Sequence, residues 1–232
     1  MSCARSSTSS RATDTFAIDR APSSVGILGG TFNPPHLGHL ELARHARDEL
    51  GLGRVLLMPA HIPPHKRAER DPGAEHRLAM SLLLVDGEPG LSVCALEVQR
   101  AGPSYTVDTL EQIHASDPDS ELTFIVGADI ARTLPAWREP AKVLELAHLA
   151  VAERSGTSAE EVLETIATLR DASGLGGAGE VRFLRMPVLG VSSSAVRDRV
   201  SRGQPVDRLV GPAVARYISE HDLYRPSAVP TS

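Results

Sequence analysis

The stretch VGILGGTFNPPHLGHLELARHARDELG at 25–51 decides how the rest of the chain is read. VGILGG is short and apolar, a buried strand running into a turn. Gly29–Gly30 allow a backbone path that side chains would block and bring amide N–H groups close to an anion. Pro34 and Pro35 cannot lie inside a helix but can lead into one, so the spacing predicts a helix from near His36 to about Leu50, stopped at Gly51. A strand, a glycine turn and a helix start in that order make half of a phosphate cradle.

The same alternation continues toward the C-terminus. After this unit come RVLLMPA as strand, HRLAMSLLLVD as helix and LSVCALEV as strand, then SYTVDTLEQIHA as helix and ELTFIVG as strand. EPAKVLELA, HLAVAER, SAEEVLETIATLRD and VRFLRMP repeat the order helix, strand, helix, strand, with SGLGGAGE as a loop before the last. The end is helical, SSSAVRDRVSRG and PAVARYISEHDL, divided at Gly203 and at Gly211–Pro212. These periods predict an α/β protein: a doubly wound, Rossmann-like parallel sheet with a small helical C-terminal cap, whose ligands gather at the carboxyl ends of the strands. The expected organisation is a disordered tail at 1–23, one α/β domain at 24–225 with its helical C-terminal part at 192–224, and a short tail at 226–232.

Composition narrows the function. With 232 residues, 41% hydrophobic and 23% charged, the chain fits one globular domain with a real core. A net charge of -5 gives no general attraction to nucleic acid or to an anionic membrane, so an anionic substrate must be held by a local cluster. Cys3 and Cys94 are the two cysteines, one in a polar tail and one in a strand-like run, which argues against a disulfide framework and for a reducing, cytoplasmic setting. No apolar run reaches the ~18 residues a membrane span needs, and the opening MSCARSSTSSRATDTF lacks the apolar middle of a signal peptide. An organelle transit peptide is the alternative for this acid-poor tail, against which Asp14 and Asp19 count. Oligomeric state is not legible.

His36 and His39, three apart, share a face of the first helical turn, where free N–H groups and the helix dipole favour negative charge. Two imidazole donors at a positive helix end suit a polyphosphate. A metal pair would call for a nearby carboxylate or third imidazole, and Glu41 points elsewhere by helical spacing. Two surface histidines at a helix start are the plainer alternative, and the attached glycine turn weighs against it. At 191–197, VSSSAVR opens another helix with Ser192, Ser193 and Ser194, more hydroxyls than an N-cap needs, and places Arg197 one turn along.

GGTFNPPHLGH resembles the HxGH signature of the nucleotidyltransferase superfamily, matched residue by residue at His36–Leu37–Gly38–His39, and VSSSAVR resembles its second, serine-rich signature. IPPHK at 62–66, GPSYTVDTL at 102–110, FIVGAD at 124–129 and LPAW at 134–137 are similar to the bacterial nicotinate-mononucleotide adenylyltransferases, and the likeness runs from Val25 to Tyr224. Departures are Asn33 where that family often has Asp, Arg138 where an aromatic is common, and Ser194 where Thr is common. The tail before Ser24 lies outside the resemblance.

The resemblance implies attack of the mononucleotide phosphate on the α-phosphorus of ATP, with magnesium arriving on ATP and no dedicated protein metal site. In such a reaction positioning and charge neutralisation do the catalysis. His39 is then the transition-state donor, with His36 and Arg197 on the triphosphate. Gly29, Gly30, Thr31, Phe32, Lys66, Ser192, Ser193, Ser194, Gly127 and Asp129 are the ATP and phosphate set. Asp129, read as ending the fourth strand, has a helix N-cap as its alternative role. Ser104, Tyr105 and Thr106 would receive the nicotinate carboxylate, and Trp137, the one tryptophan, would stack on the pyridine ring. Amide-mononucleotide or phosphopantetheine adenylylation, a non-catalytic nucleotide-binding regulator and a tRNA-synthetase fragment are the rivals. The GPSYT and PAW segments argue against phosphopantetheine, the two intact signatures against a regulator, and the acidic balance against a synthetase fragment.

Overall fold

The computed structural model describes residues 24–63, 70–153, 159–175, 179–185 and 190–226. The expected tail at 1–23, all of the expected tail at 226–232 except Pro226, Lys66, and part of the SGLGGAGE loop lie outside the described residues. The chain runs β1 (Val25–Gly30), α1 (Leu37–Leu50), β2 (Arg54–Pro59), α2 (Ala74–Leu84), β3 (Leu91–Val93), α3 (Leu96–Gln99), α4 (Thr106–Ser116) and β4 (Leu122–Gly127). It continues through α5 (Ala128–Ala131), a 3-10 turn (Leu134–Ala136), α6 (Pro140–Leu146), β5 (His148–Ala152), α7 (Ala159–Ser173), β6 (Val181–Leu184), α8 (Ser193–Ser201), α9 (Asp207–Val210) and α10 (Pro212–Glu220).

The six strands form one sheet in the order β3-β2-β1-β4-β5-β6, and every pairing is parallel. Strand order reverses between β1 and β4, the switch point at whose carboxyl ends a doubly wound sheet opens a crevice. The central strands read as nearly continuous apolar runs because both faces are covered. Leu28, Leu57, Ile125 and Ala150 face a core built with α1, α2 and the C-terminal helices. Ile27, Met58, Phe124 and Val151 face the core of α4, α6 and α7. Side chains such as Ile27 and Leu57, each 0% exposed, contribute about 1.5–3 kcal/mol apiece by leaving water.

α1 begins and ends as its sequence predicts: His36 is the N-cap in extended geometry, and Gly51 closes the helix in the left-handed conformation, φ 64°. Three expectations differ. LSVCALEV is extended only over Leu91–Val93, because β3 is an edge strand paired on one side and the chain after Cys94 turns helical to bury Glu97 and Val98. Gly29 and Gly30 belong to β1 and not to the turn. A Cβ there would lie 3.0 Å from the Phe124 ring and 3.1 Å from the Phe32 ring, so these glycines make room for two aromatics. Asp129 does not end β4; the strand stops at Gly127, which caps α5, and Asp129 stands in the first turn of that short helix, neither strand end nor N-cap.

Gly26 sits mid-strand where a Cβ would come within 2.8 Å of Leu52, 2.9 Å of Val55 and 3.0 Å of Ile125. Gly26→Ala is therefore expected to cost about 1–3 kcal/mol by overpacking. Urea unfolding measures it, and an unchanged midpoint would contradict this packing.

Candidate active site

The loop Thr31–Pro35 joins β1 to α1 at the switch point. Phe32 is buried and adopts a left-handed backbone, φ 52°, that a bulky residue takes only when its surroundings hold it there. The Asn33–Pro34 peptide is cis. The rings of His36 and His39 stack with centroids 3.7 Å apart and 24° between planes, and the edge of Phe32 meets His39 at 4.9 Å. His36 is buried, 4% exposed, whereas His39 is partly open. The His36 backbone N–H donates to His39 Nδ1 at 3.2 Å. Accepting there leaves Nε2 as the ring nitrogen that can donate outward. Glu41 pairs with Arg44 and stays out of this site.

The second signature packs directly on the first. The Ser193 hydroxyl donates to the Pro34 carbonyl at 2.8 Å, and Arg197 Nη1 donates to the Asn33 carbonyl at 2.7 Å. A Cβ on Gly38 would stand 2.9 Å from Val191. The glycine between the two histidines is thus the space that lets α8 approach. Ser192 does act as N-cap, its hydroxyl accepting from the Ala195 N–H at 3.2 Å, and it lies 3.0 Å from the Ser194 hydroxyl. Ser193 and one Arg197 nitrogen are committed to loop carbonyls. Ser192 and Ser194, at the start of α8, remain exposed.

Across the switch point, Gly127 ends β4 and Asp129 follows in the first turn of α5. A Cβ on Gly127 would fall 2.6 Å from Asp129 Oδ1, so Gly127 is what lets this carboxylate fold back over the strand end.

The expected pyridine-recognition residues converge through one that the resemblance marked as a departure. Arg138 lies over the Tyr105 ring at 5.0 Å and pairs with Asp108 at 3.2 Å, joining the turn before α4 to the loop of Trp137. Trp137 is half-buried, edge-on to Phe124 at 5.9 Å, with its Nε1 donating to Thr133 at 3.0 Å. Ser104 is placed differently from expectation. Its hydroxyl accepts from the His61 N–H at 2.8 Å and its own N–H donates to the Ile62 carbonyl at 2.9 Å, so it holds the turn to the loop after β2. Tyr105, the α4 N-cap, and Thr106, its first residue, are left as donors.

Several site-supporting residues carry no motif. Glu97 is buried under this turn, where Thr109 donates to it at 2.7 Å. Burial pushes its carboxyl up, outweighing the Thr109 and Ser104 hydrogen bonds and the nearby Arg100 charge that pull it down. Tyr224 is buried beside Asp71, Arg197 and Arg77, and burial drives its phenol well above the ordinary range. Arg77 is wholly buried behind the β1–α1 loop. A charged residue on an amphipathic helix reads as solvated, so only the fold reveals it. Among the described residues no group of three or more His, Cys, Asp or Glu side chains could hold a metal ion.

A parallel switch-point sheet bearing stacked histidines under a serine-capped helix is the build of a nucleotidyltransferase, and residues 27–199 match the family model described as cytidylyltransferase-like. A "probable nicotinate-nucleotide adenylyltransferase" of Salinibacter ruber is 38% identical over 203 residues, 88% of this chain and 98% of that one. Another from Desulfitobacterium hafniense is 40% identical over 208 residues, 90% and 99% of the two chains. The chain belongs to the cytidylyltransferase-like family and, within it, to the nicotinate-nucleotide adenylyltransferases. The Plasmodium falciparum nicotinic acid mononucleotide adenylyltransferase complexed with NaAD shares its fold, with a TM-score of 0.70 over 87% of this chain and 97% of that one at 16% identity.

His39→Ala should leave the protein folded, with some loss of thermal stability from the His36 N–H bond it gives up, and lower kcat about 10²–10³-fold, the scale of one preorganised donor; steady-state kinetics on the folded variant decide it. For Glu97 the fold favours the protonated form, so its contribution is full below the ordinary value of 4.5 and is lost as pH rises through the raised one. The stability of the wild type minus that of Glu97→Gln should fall over that window in urea titrations at a series of pH values. A difference independent of pH would contradict the burial account.

Proposed function

We infer that the chain transfers the adenylyl group of ATP to nicotinate mononucleotide, giving nicotinic acid adenine dinucleotide and pyrophosphate, in NAD biosynthesis. A phosphate oxygen of the mononucleotide bonds to the α-phosphorus, the bond from that phosphorus to the bridging oxygen breaks, and the electron pair leaves with pyrophosphate. The convergence of His39, Arg197 and the serine-capped α8 on one loop at the switch point carries this reading. Such a transfer needs no nucleophilic side chain, only alignment and neutralisation of charge growing on phosphate oxygens.

In this reading His39 Nε2 donates to an α-phosphate oxygen. His36, packed beneath it, orients the ring and supports the triphosphate. Arg197, with one nitrogen on Asn33, turns its remaining donors to the β- and γ-phosphates beside Ser192, Ser194 and the α8 N-terminus, and Lys66 is a further phosphate ligand. The β1–α1 loop supplies amides around Thr31 and Phe32, and Asp129 beyond Gly127 receives ribose hydroxyls. ATP enters as its magnesium complex, so the metal belongs to the substrate.

Trp137 offers a face to the pyridine ring, and Tyr105, Thr106 and the α4 N-terminus offer donors to its carboxylate. An amide would set its own N–H₂ against those donors, at about 1–3 kcal/mol for each mispaired group. No helix among the described residues is long and apolar enough to cross a membrane, and a cytoplasmic location remains part of this proposal, as does the absence of nucleic-acid and membrane partners.

Pyrophosphate release with ATP and magnesium, offering nicotinate mononucleotide, its amide counterpart and phosphopantetheine in parallel, tests the reading. The expected result is a kcat/KM for the acid form about ten-fold or more above the amide, and none with phosphopantetheine. Equal use of acid and amide would remove the selectivity argument, and no release with any acceptor would favour a non-catalytic nucleotide-binding regulator.

A further inference from the structure

Arg77 lies in the first turn of α2 and is 0% exposed. Its guanidinium is spent on four named bonds: Nε to Asp71 Oδ1 at 2.9 Å, Nη1 to the Thr31 carbonyl at 2.8 Å and the Ala60 carbonyl at 2.6 Å, and Nη2 to the His61 carbonyl at 2.8 Å. Thr31 follows β1, and Ala60 and His61 follow β2. One cation therefore spans the carboxyl ends of two neighbouring strands at the edge where the histidines stand. A planar fork with five donors can meet acceptors on both sides in this way, and an ammonium cannot.

Stability alone does not call for this arrangement. Burying a charge is costly, and a packed apolar side chain of similar volume does as well or better. What the guanidinium adds is direction. The Thr31–Phe32 peptide is planar and trans, so its C=O and N–H point opposite ways. Holding the Thr31 oxygen against Arg77 turns the Phe32 N–H away from it. The next residue, Phe32, is in the left-handed conformation, and the carbonyls of Asn33 and Pro34 are held from α8 by Arg197 and Ser193. With these carbonyl oxygens drawn into protein donors, the loop is set to offer amides and not oxygens to an anion.

We propose that Arg77 is the positioning residue of the phosphate site: it fixes the β1–α1 loop, and through it Phe32 and His39, in the geometry that receives the triphosphate. Through His61 and Asp71 it ties that loop to the segment after β2. The proposal rests on the adenylyl-transfer reading for its kinetic consequence, and not for its binding consequence.

The test compares wild type with Arg77→Lys and Arg77→Met, measuring kcat and KM for pyrophosphate release, thermal unfolding, and calorimetric affinity for α,β-methylene ATP. At a temperature where the variants are folded, kcat should fall about 10²-fold, the scale of a misplaced reacting geometry, with weaker analogue binding and the smaller loss in Lys. A merely structural role would lower the unfolding temperature and leave kcat and affinity within about threefold in the folded variants, and that result overturns the proposal. If neither variant folds, Asp71→Asn carries the test, since the Asp71 side chain is 27% exposed and the change spares the three carbonyl bonds. It should lower kcat or analogue affinity about fivefold or more, and wild-type values would overturn the proposal. A wild type that binds the analogue but releases no pyrophosphate fails the enzymatic reading while the affinities still decide Arg77; one that does neither ends both.

Discussion

Everything at this site depends on how α8 docks against the β1–α1 loop. Two hydrogen bonds, Ser193 to the Pro34 carbonyl and Arg197 to the Asn33 carbonyl, join segments far apart in the chain. The contact is close because Gly38 has no side chain where Val191 enters. Of Ser192, Ser193, Ser194 and Arg197, which look like a phosphate-binding signature in isolation, Ser193 and Arg197 therefore also serve as a fastening. What the fastening leaves exposed is Ser192 and Ser194 at the start of α8.

The sheet makes that docking possible. Strand order reverses at β1 and β4, so the two segments that leave the reversal, one leading into α1 with the histidines and the other into α5 with Asp129, start from neighbouring strand ends without any special device. The loop itself is held from both flanks. Arg77 takes a carbonyl before Phe32 and α8 takes two after it, which is how a buried phenylalanine keeps a backbone conformation it would otherwise leave. Opposite this, Arg138 draws the Tyr105 turn and the Trp137 loop together.

The order of strands and helices was legible because each strand is an apolar run and each helix has a 3.6-residue period bounded by glycine, proline or serine. It failed where neighbours decided the matter. LSVCALEV is apolar enough for a long strand, but an edge position pairs it on one side only and the chain leaves the sheet at once. The four-residue α9 is too short to show a period. Gly29 and Gly30 read as a turn because glycine favours turns, yet they clear space for Phe124 and Phe32, which no local pattern discloses.

The amino-acid sequence by itself determined the α/β alternation, the limits of α1 and the residue types at the phosphate end, because caps, breakers and periodicity act between near neighbours. The tertiary structure alone decided that Ser193 and Arg197 fasten one loop, that Ser104 is a strut, and that a wholly buried Arg77 joins two strand ends. Those facts depend on where a side chain meets the carbonyl of a remote residue, and a one-dimensional pattern does not encode that meeting.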